Sequence, residues 1–98
     1  MTVITKEEIL KTLTKDKPDL QKQFKVRSLA LFGSYARGDQ QADSDVDILV
    51  EVDPSIGLEF VTLAETIEKL LGVSVDLVSS RAIAPKAWKF IEPELIYV

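Results

Sequence analysis

The stretch GSYARGDQQADSDVDILV, residues 33–50, packs two glycines, two serines and four aspartates ahead of a short apolar run. Its last part alternates. SDVDILVEV, residues 44–52, sets Val46, Ile48, Val50 and Val52 on one face and Asp45, Asp47, Leu49 and Glu51 on the other, which is the period of a strand. Alternate strand residues lie about 6.6–7 Å apart on one face, so Asp45 and Asp47 are neighbours there. At an effective dielectric of about 20, two such charges repel by about 2.4 kcal/mol, a sizeable part of a small domain's stability. A hard divalent cation with oxygen ligands is the natural means of offsetting that repulsion, and a pair of Mg²⁺ ions is usual where the substrate is a triphosphate.

The residues on either side extend the pattern. VRSLALF, residues 26–32, is an apolar run closed by Gly33 and reads as a buried strand. Ser34 then stands at a helix start, where N–H groups and a hydroxyl can hold phosphate oxygens. VSVDLVS, residues 73–79, is a further strand with Val73, Val75 and Leu77 on one face and Asp76 on the other; pairing would bring Asp76 beside Asp45 and Asp47. Each feature also has a plainer meaning. Gly33 can simply break a strand, Ser34 can cap a helix, the aspartates can be solvated, and Arg37 can pair with Asp39 or Asp43 at the surface.

Around this centre, TKEE at residues 5–8 is a capping box with Thr5 as N-cap and Glu8 three positions on, opening a helix expected to end before Pro18. LEFVTLAETIEKLLG, residues 58–72, lines up Phe60, Leu63, Ala64, Ile67, Leu70 and Leu71 and stops at Gly72. Pro85 suits the first turn of a last helix, whose Ala87, Trp88 and Ile91 can face the core, and LIYV at residues 95–98 a last short strand. The order is α-β-(short α)-β-α-β-α-β. The fold class is α/β (α+β), a small mixed sheet with helices mainly on one face, in a single domain spanning residues 1–98.

Composition narrows the chemistry. The 98 residues include no Cys and no His, so thiolate nucleophiles, imidazole bases and disulfides are excluded, and catalysis falls to carboxylates, hydroxyls, Lys or Arg. Sixteen acidic against twelve basic residues, a net charge of -4, disfavour extended nucleic-acid binding. With no apolar run longer than four residues and no signal-peptide core, the chain is expected in the cytoplasm, away from membranes.

Taken together, GSYARGDQQADSDVDILV and the later VDLV resemble the DNA polymerase beta-like nucleotidyltransferase superfamily: a glycine-serine, a spacer, Asp-x-Asp on a strand, and a third Asp on a neighbouring strand. Within it the chain is similar to the minimal nucleotidyltransferases, whose pattern GSxARGxxxxxSDxDLxV it follows with Ile48 in place of Leu. The resemblance implies the fold and a Mg-dependent transfer of AMP from ATP. Asp45, Asp47 and Asp76 would hold two Mg²⁺ ions, with Asp76 also helping to activate the attacking hydroxyl, and Gly33, Ser34 and Arg37 would contact the triphosphate.

Larger relatives append an acceptor-binding helical domain, whereas this chain ends at Val98, so another chain is expected to bring the acceptor. Minimal nucleotidyltransferases are commonly antitoxins paired with a HEPN-type ribonuclease toxin, silenced by AMP on a tyrosine. A hetero-oligomer with such a toxin is therefore implied. Two other readings stand beside it: an antitoxin that masks its toxin by binding alone, and a nucleotidyltransferase subunit acting on a small molecule or nucleic acid.

Overall fold

A computed structural model describes residues 4–98. The order of elements is helix α1 (Lys6–Phe24), strand β1 (Val26–Phe32), the one-turn helix α2 (Ser34–Arg37), β2 (Val46–Val52), α3 (Glu59–Leu71), β3 (Val75–Ser79), α4 (Pro85–Ile91) and β4 (Ile96–Tyr97), with single 3-10 turns at Pro54–Ile56, Ser80–Ala82 and Glu92–Glu94. The four strands form one mixed sheet in the order β3-β2-β1-β4. β1 runs antiparallel to both β2 and β4, whereas β2 and β3 are parallel. A parallel pair needs a crossover, and α3 supplies it.

Strand alternation decides what each face does. Leu29 and Leu31 of β1 and Val46, Ile48 and Val50 of β2 are fully buried on the face that meets Ile9, Leu13 and Leu20 of α1 and Leu63 and Ile67 of α3. The opposite face carries Asp47, Leu49 and Glu51 of β2 beside Phe32, Ala30 and Ser28 of β1. It is not bare. Leu49 and Ala30 are buried, and Trp88 of α4 shares a small cavity with Leu49, Ser28 and Tyr97. The alternating pattern thus describes β2 correctly, although its second face is polar only towards the two ends.

Two local expectations change. The Thr5 cap is present, with the Glu8 N–H donating to Thr5 Oγ1 at 3.1 Å, but α1 runs through Pro18 to Phe24. A proline inside a helix costs about 3 kcal/mol, while burying Leu20 and Phe24 beyond it recovers about 1.5–3 kcal/mol for each, so packing outweighs the break. In α3, Leu63, Ile67 and Leu71 are buried as the spacing predicts, whereas Leu70 is exposed on the flank of the stripe. Gly72 ends that helix in the left-handed region, its N–H donating to the Glu68 carbonyl at 2.7 Å.

The topology gathers four chain segments at one end of the sheet. Because β1 is antiparallel to β2 and β4, and β2 is parallel to β3, the end of β1 meets the beginnings of the other three strands. Gly33, Asp47, Asp76 and Glu94 all belong to that end.

Candidate active site

Gly33 closes β1 with φ 78° and ψ −153°, a backbone conformation open to glycine and strained for any other residue. A second constraint acts on the same atom. A Cβ placed on Gly33 would fall on the Asp47 carboxylate, 2.9 Å from Cγ, so the Asp47 side chain lies directly against the Gly33 backbone. That contact follows from register, since Phe32 of β1 is opposite Asp47 of β2. Gly33 is therefore more than a strand breaker: its missing side chain is the space that Asp47 occupies.

After Gly33 the chain makes the single turn of α2. The Ala36 and Arg37 N–H groups donate to the Gly33 carbonyl at 3.1 and 3.0 Å, which leaves the N–H groups of Ser34 and Tyr35 and the Ser34 hydroxyl without partners among the described residues. Tyr35 is buried and pins the turn to the core, and Lys6 Nζ donates to the Ala36 carbonyl at 3.3 Å, fixing it to α1.

Asp47 and Asp76 are register partners on the parallel strands β2 and β3, about 4.8 Å apart in the ladder direction. Asp45 lies just before β2, exposed, along a cleft of about 400 Å³ whose walls include Gln40, Ser44 and Ser74. Half-burial pushes the Asp47 carboxyl up from its ordinary value; the negative charges of Asp76 and then Asp45 push it further, Arg37 opposes them, and Glu94 adds to the rise. The three aspartates thus share one electrostatic environment. Among the described residues, however, no three carboxylates are gathered tightly enough to hold a metal ion as they stand. The donor set itself suits a hard divalent cation, all oxygen and all anionic.

Arg37 pairs with Asp39, as its plainer reading foresaw: Nε donates to Asp39 Oδ2 at 3.0 Å. It also reaches a residue that sequence reasoning missed, since Nη1 donates to Glu94 Oε2 at 2.9 Å while the Gly33 N–H donates to Glu94 Oε1 at 3.2 Å. These two carboxylates hold the Arg37 guanidinium above its ordinary value, Asp39 more than Glu94. Leu31 opposite Ile96 on β4 puts residue 94 level with residue 33, and only that antiparallel pairing, invisible in the sequence, would have pointed to Glu94.

A strand end that leaves room for a carboxylate, a turn with open donors and a second carboxylate in register thus stand together at one end of the sheet. Residues 8–98 match the nucleotidyltransferase domain family. The chain belongs to that family. This nucleotidyltransferase is 44% identical over 100 residues to the protein adenylyltransferase MntA of Thermococcus cleftensis, with all of both chains covered. A solved structure of a candidate minimal nucleotidyltransferase superposes with a TM-score of 0.78 at 32% identity, covering 98% of each chain. A further match lies in the complex of a tri-AMPylated HEPN toxin of Shewanella oneidensis with its MNT antitoxin, with a TM-score of 0.51 and 25% identity, covering 94% of this chain and 66% of that one. The four-stranded mixed sheet is thus the minimal nucleotidyltransferase fold.

Proposed function

We propose that this nucleotidyltransferase moves AMP from ATP to a hydroxyl of a partner protein and serves as the antitoxin of a HEPN-type toxin. The observation that carries the reading is the register of Asp47 with Asp76, set against the Gly33–Ser34 turn. The kinship with MntA and with the complex of an AMPylated toxin supports AMP as the transferred group and a HEPN protein as its acceptor.

In this reading Ser34, through its hydroxyl and N–H, and Arg37, through its guanidinium, hold the triphosphate, and the close backbone at Gly33 lets it approach. Asp45, Asp47 and Asp76 would hold two Mg²⁺ ions, which would neutralise phosphate charge and polarise the attacking and leaving oxygens. The acceptor oxygen forms a bond to the α-phosphorus as the bond from that phosphorus to the oxygen bridging to the β-phosphate breaks. Pyrophosphate leaves with the electron pair of that bond, and the acceptor proton passes to Asp76. The unit is a single domain over residues 1–98, working in the cytoplasm with its partner; among the described residues no helix is long and apolar enough to cross a membrane.

Intact-mass spectrometry of the HEPN partner, incubated with this protein, ATP and Mg²⁺, tests the reading. Mass steps of one adenylate are expected. Full suppression of the toxin with no change in its mass, in Mg²⁺ or Mn²⁺ and with each of the four nucleotides, would favour masking by binding alone.

A further inference from the structure

The Gly33 backbone, which the triphosphate would approach, and the Arg37 guanidinium, which would hold it, are both already bonded to a carboxylate of the same chain. The Gly33 N–H has one hydrogen, and it points at Glu94 Oε1, 3.2 Å away; Arg37 Nη1 is bonded to Glu94 Oε2 at 2.9 Å. Glu94 thus binds as one phosphate group would, with two oxygens spanning a backbone N–H and a guanidinium. Its placement is anchored. β4 pairs with β1 at Leu31 and Ala30, the Val98 N–H donates to the Leu29 carbonyl at 3.1 Å, and Lys17 Nζ donates to the Val98 carbonyl at 2.7 Å.

A need to neutralise Arg37 does not account for this, because Asp39 already does so at 3.0 Å. We propose that Glu94 is a built-in competitor for the triphosphate, holding the Gly33 N–H and the Arg37 guanidinium until a polyphosphate displaces it, and so setting how tightly nucleotide is bound. The proposal rests on the reading of Gly33 and Arg37 as triphosphate contacts.

The test uses inorganic tripolyphosphate, which carries the charge pattern without a nucleoside, alongside a nonhydrolysable ATP analogue, both titrated calorimetrically into the full chain. Glu94→Gln removes the competing charge and keeps the shape, so both ligands should bind about tenfold more tightly, the equivalent of one charge-assisted hydrogen bond. In an Arg37→Gln background the same change should give a much smaller gain, because the two residues share one interaction. Unchanged or weaker binding by E94Q overturns the proposal and makes Glu94 a positioning residue that holds Arg37 ready for substrate. Should E94Q fail to fold, the Gly33 amide resonance of the wild-type protein decides: it should move on addition of tripolyphosphate, and an unmoved amide also overturns the proposal. A protein that shows the tightening yet never transfers AMP loses the proposed function and keeps this inference; one that transfers AMP with E94Q affinity unchanged does the reverse.

Discussion

Replacing Asp47 by Asn in metal-free protein should raise stability, and the structure gives the size of the effect. Asp47 and Asp76 face each other across neighbouring strands, so their charges lie about 5–6 Å apart and at an effective dielectric of about 20 repel by about 3 kcal/mol. Asp76 is exposed and Asp47 only partly buried, so water and salt reduce that figure to about 0.5–1 kcal/mol. Against the gain stands no lost bond, because the Asp47 carboxylate accepts no hydrogen bond among the described residues, and Asn preserves the shape that packs on Gly33. For a chain of this length the melting temperature in EDTA should rise by about 2–8 °C. The sign with pH follows from the raised folded value of Asp47: its charged form costs stability at neutral pH, and the cost fades as pH falls through that value towards the ordinary carboxylate value of about 4. The gap between variant and wild type should close over that window. Scanning calorimetry in EDTA at several pH values checks it, and an Asn variant melting below wild type at neutral pH would refute the reasoning, since Asp47 would then be supporting the fold.

Two further variants probe the same end of the sheet. Gly33→Ala meets both a positive φ and the Asp47 carboxylate, so urea unfolding should show a loss of about 2–5 kcal/mol, and a loss below about 1 kcal/mol would mean that Asp47 does not lie against this backbone. Ser34→Ala removes a hydroxyl that has no partner within the described residues, so it should leave the melting temperature nearly unchanged while weakening an ATP analogue about two- to tenfold in calorimetry; equal affinity would return Ser34 to a purely local role.

How much of this was legible in the sequence depends on the range of the interactions involved. Alternation along residues 46–52, the Thr5–Glu8 capping box and the stop at Gly72 are written in neighbouring residues, and each element stands where its pattern places it. Pairing of Asp76 with Asp47 was open to expectation because two strands each carry one aspartate on their polar face. Pro18 misled because its cost is local, whereas the burial of Leu20 and Phe24 that outweighs it is tertiary. Leu49 is buried on a face that reads as polar, and Trp88, far along the chain, lines the same cavity, a neighbour that the strand's own residues do not reveal. Glu94 was hidden for the same reason: nothing in EPELIYV tells which strand β4 will pair with, and that pairing alone carries its carboxylate to Gly33 and Arg37.

The most direct measurement of the central claim follows label from ATP into the HEPN partner, in parallel reactions with phosphorus-32 at the α or the γ position. AMP transfer predicts that α-label enters the partner, that γ-label appears only in pyrophosphate, and that Asp45→Asn and Asp76→Asn each abolish incorporation while the protein stays folded. Incorporation of γ-label, or α-label entering equally well with both aspartates replaced, would contradict the account.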